Sequence, residues 1–371
     1  MSEHYDVAVV GGGQAGLAMG YFLAQQGRKF VILEGGDDVA PAWRGRWDSL
    51  TLFTPRRFDS LPGLEFPGDP DGYPLRDEVV DYLQRYAATF DLPIRLRTAA
   101  RMLTREGDRF GIGLDDGPIT ADQVVVATGP FQEPRIPDFA SGLSAEVVQL
   151  HSTGYRNPSE LPAGRILIVG GGNTGYQIAE ELAATRETHL AIGSRQVSLP
   201  QRFLGRDMFW WLTKTGLIHK SIETKVGKRV SQTETLVGSK PSKARRSGVT
   251  LHGRAAAAHG RTVAFEDGGS VDVDGVLWAT GFRSDYGWID LPITDQKGGV
   301  AHTRGVTEIP GLYTLGLQWQ YTRGSALLGW VKDDAAYVAA HVAAHAASLR
   351  PATPAAAGSQ ASEPMSAGQG D

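Results

Sequence analysis

Two glycine-rich hexamers constrain the fold of this chain more than any other feature. The first reads Gly-Gly-Gly-Gln-Ala-Gly at 11–16, and the second reads Gly-Gly-Gly-Asn-Thr-Gly at 170–175. An Ala-Thr-Gly triplet follows each of them later in the chain, at 127–129 and at 279–281. A hexamer of this spacing lets the backbone approach a pyrophosphate at the N-terminus of a helix. The sequence therefore predicts two dinucleotide-binding units in one chain.

The surroundings of both hexamers fit the strand–helix–strand unit that this fingerprint requires. The predicted elements are strands over 5–10, 29–33, 165–169 and 188–192, with helices over 14–26 and 174–184. Each triplet ends a further predicted strand, over 123–126 and over 275–278. Small residues at such a strand end permit a bend and a close approach to a cofactor.

The residue at the end of the second strand distinguishes the two expected cofactors. Glu34 ends that strand in the first unit, and a carboxylate there accepts hydrogen bonds from ribose hydroxyls but repels a 2′-phosphate. In the second unit Ser194 and Arg195 stand at this place, and an arginine suits a 2′-phosphate. Arg195 could equally be a solvated loop residue, and Arg202 and Arg206 could share its role. We therefore expect FAD in the first unit and NADPH in the second.

These motifs specify which residues we expect to contact each cofactor. For FAD they are Gly11, Gly13, Gln14, Ala15, Gly16, Glu34, Thr128 and Gly129. For NADPH they are Gly170, Gly172, Asn173, Thr174, Gly175, Ser194, Arg195, Thr280 and Gly281.

Composition excludes several classes of protein. The chain contains no cysteine, so it cannot carry the redox-active pair of a disulfide reductase or a cysteine-based metal site. Its net charge of −4 gives no overall electrostatic case for binding nucleic acid or a membrane. It has no apolar run of about 18 residues to cross a membrane, and its first strand begins too early for a cleavable signal peptide. We therefore expect a cytoplasmic protein without a metal, for which a homodimer is one option.

The order of the motifs predicts an α/β fold in which one Rossmann-like domain is inserted in another. The expected parts are the FAD domain over 1–155, the NADP domain over 160–282 and the rest of the FAD domain over 283–349. A last helix is expected over 326–348, with Ser325 as its N-cap. The tail over 350–371 is rich in Ala, Pro, Ser and Gly and is expected to be disordered.

The segment 202–246 is basic and irregular, and it has two interpretations. It carries eleven Lys or Arg residues against three acidic ones. Its apolar cluster consists of Phe209, Trp210, Trp211 and Leu212. It could be an insertion that packs on the NADP domain with a solvated basic face, or a mobile lid over a substrate channel.

Together these motifs resemble the class B, or flavin-containing, monooxygenases over nearly the whole chain. Nearest in appearance are bacterial flavoprotein monooxygenases whose names mention cation transport, and the plant auxin-forming monooxygenases. Residues 127–137 match the family pattern Ala-Thr-Gly-x-aromatic-x-x-Pro-x-x-Pro. Residues 43–55 resemble the segment that lies along the flavin, and 316–325 resemble the closing segment on the flavin side. The resemblance adds four expected FAD contacts, Trp43, Trp47, Gln318 and Ser325.

The family signature Phe-x-Gly-x-x-x-His-Ser-x-x-Tyr is kept in part. His151, Ser152 and Tyr155 are present, whereas Ala145 and Val147 stand in place of Phe and Gly. The resemblance implies that this segment links the two domains and helps to position NADP rather than taking part in bond chemistry. His151 is our candidate at the reaction site, or else a histidine packed in the linker.

The resemblance also implies an ordered reaction with a small-molecule substrate and O2. NADPH would reduce FAD, oxygen would add at C4a, and the peroxyflavin would pass one oxygen atom to a soft nucleophile or a carbonyl group. Asn173 would assist by hydrogen bonding beside the flavin, or would only contact the pyrophosphate. Two other functions stay open. One is an NADPH-dependent flavin reductase or oxidase acting on a quinone, a metalloid or O2, and the other is a non-catalytic NADPH sensor.

Overall fold

Two mostly parallel sheets, each carrying one glycine hexamer, organise the computed structural model, which describes residues 3–194, 196–295 and 298–349. Its strands are β1 (His4–Val10), β2 (Phe30–Leu33), β3 (Ile94–Arg95), β4 (Met102–Glu106), β5 (Arg109–Gly113), β6 (Ile119–Val126), β7 (Glu133–Pro134), β8 (Val148–His151), β9 (Arg165–Val169), β10 (Glu187–Ala191), β11 (Gln196–Leu199), β12 (Arg202–Phe203), β13 (Arg206–Asp207), β14 (Glu234–Val237), β15 (Thr250–His252), β16 (Ala255–His259), β17 (Thr262–Phe265), β18 (Ser270–Asp272), β19 (Gly275–Trp278), β20 (Phe282–Arg283) and β21 (Leu312–Thr314). Its helices are α1 (Gln14–Gln25), α2 (Pro41–Arg44), α3 (Arg76–Thr89), α4 (Asn173–Leu182), α5 (Met208–Lys214), α6 (Lys225–Ser231), α7 (Pro241–Arg246) and α8 (Val331–Ser348). Arg195 and the tail at 350–371 lie outside the described residues.

The first sheet brings the first hexamer, Glu34 and the first triplet to one edge. Its strand order is β3-β2-β1-β6-β5-β4, with β21 also paired to β6. β1 runs parallel to β2 and β6, and Val10 lies beside Leu33 on one side and Val126 on the other. The carboxyl ends of these three strands therefore meet where α1 begins.

The second sheet repeats this arrangement with the order β15-β10-β9-β19-β8. Val169 at the end of β9 lies beside Ala191 and Trp278, so the second hexamer meets the second triplet where α4 begins. β21 then returns the chain to the first sheet, where Thr314 lies beside Val126. The predicted α/β fold, with one dinucleotide domain inserted in another, is confirmed. The predicted domain limits themselves stay predictions.

The central strand of the first sheet is covered on both faces. Val7 and Val9 pack in the same core as α1 and α8, whereas Ala8 and Val10 face a second core on the other side of the sheet. Apolar side chains on both faces are typical of parallel strands with helices or chain on either side. This burial fixes the register that assembles the edge described above.

The last helix begins later than the sequence predicted. It starts at Val331, and residues 321–330 form turns instead. Ser325 is buried, and its hydroxyl oxygen accepts hydrogen bonds from the backbone N–H groups of Tyr321 and Thr322, both at 3.0 Å. The prediction of Ser325 as the N-cap is wrong because its side chain stabilises the preceding turn.

Segment 202–246 packs against both domains. The buried ring of Phe209 lies 5.8 Å from the ring of Phe53 and 5.6 Å from that of Trp330, both outside the segment. Leu236 joins the core beneath the second sheet. The segment therefore packs on the NADP domain, as one interpretation expected, and also on the FAD domain. The lid hypothesis stays a prediction.

Candidate cofactor sites

The first hexamer, the end of β2 and the first triplet form what we call the first cradle. Gly11 has a φ of +116°, and a Cβ there would collide with the carbonyl oxygen of Ala127. A Cβ on Gly16 would collide with the carbonyl oxygen of Gly11. Only glycine fits these two positions, because the triplet and the helix approach the turn too closely for a side chain.

Gly13 differs from these glycines because it faces open space. It is the N-cap of α1, and a Cβ there would meet no atom within 4 Å. The first N–H groups of a helix have no partner inside the helix and attract anions. The space in front of Gly13 therefore fits a pyrophosphate, which FAD would supply.

Glu34 is held beside this space by two backbone groups. Its carboxylate oxygens accept hydrogen bonds from the N–H groups of Gly12 and Gly36, both at 2.8 Å. The side chain is only partly buried, so it can still accept hydrogen bonds from ribose hydroxyls. A fixed negative charge here would repel a 2′-phosphate, which fits FAD and disfavours NADPH in this cradle.

Gln14 connects three of the segments predicted to contact FAD. Its amide nitrogen donates to the carbonyl oxygen of Ala326 at 3.0 Å, and its amide oxygen accepts from the indole N–H of Trp43 at 3.1 Å. Ala15 in turn lies against the closing segment, since a Cβ on Gly316 would come within 2.8 Å of the Ala15 Cβ. The segments around 14, 43 and 316–326 therefore converge on the start of α1.

Trp47 and Gln318 have different surroundings. Trp47 is only 3% exposed and packs in the core beneath the second sheet, where its indole N–H has no partner among the described residues. Gln318 is exposed and lies between Leu317 and Trp319 in the closing segment. Contact of Trp47, Gln318 and Ser325 with FAD stays a prediction.

The second hexamer, the end of β10 and the second triplet form the second cradle, which has the same backbone geometry as the first. Gly170 has a φ of +121°, and a Cβ there would collide with the carbonyl oxygen of Ala279. A Cβ on Gly175 would collide with the carbonyl oxygen of Gly170. The same close approach of triplet and helix therefore demands glycine at both positions.

The start of α4 offers binding groups in the second cradle. Gly172 is the N-cap, and Asn173 and the partly buried Thr174 begin the helix. The side-chain oxygen of Asn173 is buried and has no hydrogen-bond partner among the described residues. A buried acceptor of this kind usually has a partner, so its environment fits a donor on a bound cofactor.

The end of β10 carries no carboxylate, in contrast to Glu34 in the first cradle. Gly193 and the exposed Ser194 follow the strand, and Arg195 lies outside the described residues. Arg254, which follows β15, donates a hydrogen bond to the carbonyl oxygen of Gly193 and forms an ion pair with Glu266 at 3.3 Å. Arg254 was not predicted from the sequence, because only the pairing of β15 with β10 brings it to this corner.

The first triplet borders open space within the first cradle. Thr128 accepts a hydrogen bond from the amide of Gln132 at 2.8 Å. Gly129 has a φ of +72°, and a Cβ there would meet no atom within 4 Å. This open space fits the predicted contact of the triplet with a cofactor.

The segments after the two triplets join the domains. β7 pairs antiparallel with β20, and Thr280 donates a hydrogen bond to the carbonyl oxygen of Arg135. The backbone N–H of Arg135 donates to the carbonyl oxygen of Gly281 at 3.0 Å. The two connections between the domains therefore form one hydrogen-bonded unit.

His151 supports this unit from the second sheet. Its Nε2 lies 3.1 Å from the carbonyl oxygen of Gly281, and its Nδ1 lies 3.1 Å from the hydroxyl of Thr153. A ring nitrogen facing a carbonyl oxygen must carry the proton, so Nε2–H donates to Gly281. Burial lowers the pKa of His151 below its usual value, which favours the neutral ring.

The described residues show neither a membrane-spanning helix nor a metal-binding cluster. Within 3–194, 196–295 and 298–349, no helix is long and apolar enough to span a membrane. The same ranges hold no cluster of three or more potential metal-ligating side chains.

A family model described as pyridine nucleotide-disulphide oxidoreductase matches residues 8–202. The chain is also 45% identical over 341 residues to an uncharacterized CzcO-like oxidoreductase of Geobacillus kaustophilus, covering 91% of this chain and 98% of the relative.

The chain belongs to the pyridine nucleotide-disulphide oxidoreductase family.

A solved structure and a plant relative extend the comparison. A flavin-containing monooxygenase from Stenotrophomonas maltophilia is 29% identical, with a TM-score of 0.79, covering 93% of this chain and 99% of that one. The indole-3-pyruvate monooxygenase YUCCA1 of Oryza sativa is 33% identical over 205 residues, which are 54% of this chain and 50% of the relative. The resemblance to the class B flavin monooxygenases is confirmed, and the chain is an oxidoreductase that depends on FAD and NADPH.

Proposed function

We propose that this family member is a flavin-dependent monooxygenase that transfers one atom of O2 to a small-molecule substrate. The observation that carries the proposal is the pair of cradles with identical glycine geometry and different strand ends, joined by one hydrogen-bonded unit. Despite its name, the family's disulfide chemistry does not fit a chain without cysteine. Reducing equivalents must therefore pass to an external acceptor.

The chain's own residues bind and orient the cofactors. The first cradle, with Glu34, would hold the FAD pyrophosphate and ribose, and the second cradle would hold NADPH through α4, Ser194 and Arg195. FAD supplies the redox chemistry, since it accepts a hydride from NADPH and reduces O2. Asn173 offers its buried amide oxygen to a cofactor donor, and neutral His151 holds the second triplet in place.

Substrate would enter beside the closing segment. An open surface cavity of about 740 Å³ lies between α6 and this segment, with room for a small organic molecule. Its lining residues are Ile222, Glu223, Lys228, Ser231, Gln232 and Trp319. Trp319 directly follows Gln318, which is predicted to face the flavin, so the cavity and the flavin would be neighbours.

The proposal includes oxygen transfer to a small soft nucleophile or a carbonyl compound. It also includes a cytoplasmic location, where NADPH is available. Nucleic acid is not required as a partner.

Oxygen-18 labelling tests the proposal directly. FAD-loaded protein is supplied with NADPH and ¹⁸O2 and screened against sulfides, amines, ketones, α-keto acids and trivalent metalloids, while hydrogen peroxide is measured in parallel. The expected result is one labelled oxygen atom in the product of at least one class, with less peroxide than NADPH consumed. If all oxygen consumed appears as peroxide, or if a quinone is reduced without oxygen, the protein is an oxidase or a reductase instead.

A further inference from the structure

Arg46 is a partly buried cation at the junction of the two domains. Its guanidinium carbon lies 4.8 Å from the centre of the Phe131 ring and 5.7 Å from that of Phe282. Phe131 follows the first triplet and Phe282 follows the second, and their rings lie 5.1 Å apart. The Phe282 ring in turn packs edge-on against His151, also at 5.1 Å. Arg46 therefore lies where both cradles meet.

Arg46 has no carboxylate partner in the described part of the chain, whereas nearby arginines do. Arg44 pairs with Asp38 at 2.5 Å, and Arg57 pairs with Asp71 at 2.8 Å. The charged side chain that acts on Arg46 is another cation, Arg156. Burial and this repulsion lower the pKa of Arg46, so both disfavour the charge on its guanidinium group unless an anion lies beside it.

Aromatic rings satisfy only part of what a guanidinium needs. A ring stabilises the cation through its face, but the five N–H donors point outward in the guanidinium plane. Within 3–194, 196–295 and 298–349, no side-chain or backbone oxygen accepts a hydrogen bond from the Arg46 guanidinium group. The Arg46 side chain is only partly buried, so these donors are open to a ligand, and a bidentate oxyanion is the group that best matches their geometry.

We propose that Arg46 binds an oxyanion, a phosphate or a carboxylate, on a ligand that lies between the two cradles. Two sources could supply it. One is the diphosphate of the nicotinamide dinucleotide in the second cradle, and the other is the acidic group of a substrate. The proposal deepens the proposed function by adding a binding residue to the same site, and it rests on two-cofactor binding rather than on oxygen transfer.

Equilibrium binding to the FAD-loaded protein tests this assignment. Calorimetry measures the Kd of NADP⁺, and changes in the flavin absorbance spectrum measure the binding of benzoate, a simple carboxylate probe. The variants are Arg46→Gln, Arg46→Lys and the matched control Arg44→Gln. Arg44 lies two residues away, but its side chain is half exposed and already has a carboxylate partner.

If the dinucleotide supplies the oxyanion, Arg46→Gln raises the Kd of NADP⁺ by about tenfold or more. Arg46→Lys should have a smaller effect, because a lysine keeps the charge but cannot bind in a bidentate manner. Arg44→Gln should stay within about twofold of the wild type. If a substrate supplies the oxyanion, NADP⁺ binding is unchanged, while the benzoate response is lost in Arg46→Gln and kept in Arg44→Gln.

A purely structural role for Arg46 predicts a different pattern. Arg46→Gln and Phe131→Leu would then lower the melting temperature alike, with unchanged binding of NADP⁺ and benzoate, and this result would overturn the proposal. If Arg46→Gln yields no FAD-loaded protein, the Arg46→Lys variant decides, and unchanged binding of both probes again overturns it. Failure of the monooxygenase proposal would leave these equilibria unaffected, since no oxygen transfer is measured.

Discussion

The two cradles have the same backbone geometry but different ends of the second strand. In each, the first glycine of the hexamer has a positive φ and touches the triplet, and the last glycine touches the first. The first cradle then presents Glu34, fixed by two N–H groups, whereas the second presents Gly193 and Ser194 with Arg254 beside them. We therefore expect the shared packing to set how a pyrophosphate binds, and the different strand ends to set which dinucleotide each cradle prefers.

The largest expected effect separates two glycines of the first cradle. Gly13→Ala should fold normally, since its Cβ meets no protein atom, but should lose most of its FAD because the Cβ enters the pyrophosphate space. Gly16→Ala should fail to fold properly, since its Cβ collides with the Gly11 carbonyl. Melting temperature and the ratio of flavin to protein absorbance check both outcomes. Full FAD occupancy in Gly13→Ala would show that the first cradle is assigned to the wrong ligand.

The second prediction concerns the strand end of the second cradle. Arg195→Ala should raise the KM for NADPH on the order of ten- to a hundredfold, about 1.5–3 kcal/mol, because a charged hydrogen bond to the 2′-phosphate is lost. The KM for NADH should change little. Arg101→Ala serves as the control, since this exposed arginine lies at the edge of the first sheet and pairs with Asp115 at 2.9 Å. Equal effects of Arg195→Ala on both cofactors would contradict the assignment.

The third prediction tests whether the segment 202–246 is a lid. Trp210 and Trp211 are only partly buried, so replacing both by Ala should leave flavin reduction by NADPH nearly intact. If the segment 202–246 excludes water from the flavin, peroxide release should rise and product formed per NADPH should fall severalfold. Phe209→Ala is the contrasting variant, since loss of this buried ring should cost about 3–5 kcal/mol of stability. A collapse of flavin reduction with unchanged coupling would refute the lid hypothesis.

The smallest expected effect is a change of stability with pH. It comes from His151, which supports the second triplet. His151 has a lowered pKa in the folded state, so the unfolded chain takes up its proton first as the pH falls below about 6.5. The contribution of His151 to stability should therefore be complete above this pH and decrease on acidification, by at most about 1.4 kcal/mol per pH unit.

Chemical unfolding between about pH 5 and 8 checks the effect of His151. The stability difference between wild type and His151→Gln should shrink as the pH falls. The matched control is Gln132→Ala, which removes the non-titrating partner of the first triplet and should show a difference independent of pH. A constant difference for His151→Gln would mean that His151 is not held neutral.

The strands next to the glycine and triplet motifs could be predicted from the sequence. The strand over 165–169 and the strand over 275–278 match β9 and β19, because apolar runs next to glycine or triplet motifs define both ends. The start of the last helix could not be predicted in this way. Ser325 has the residue type of an N-cap, but its hydroxyl bonds to the turn before it.

The parts that depend on tertiary contacts were not predicted. Arg254 reaches the second cradle only through the order of the strands, and Arg46 reaches the domain junction only because Phe131 and Phe282 meet there. The packing of Trp47 in the core beneath the second sheet was likewise not predicted, and its contact with the flavin stays a prediction. Sequence spacing therefore locates a cradle but not the side chains that distant segments bring to it.

An anaerobic titration of the purified protein tests the central claim that one chain holds two different dinucleotides. The absorbance of bound flavin is followed while NADPH or NADH is added in the absence of oxygen. The account predicts one FAD per chain, bleached by about one equivalent of NADPH, with NADH needing on the order of ten- to a hundredfold higher concentration. Protein without FAD, or bleaching by NADH at the same concentration as NADPH, would contradict it.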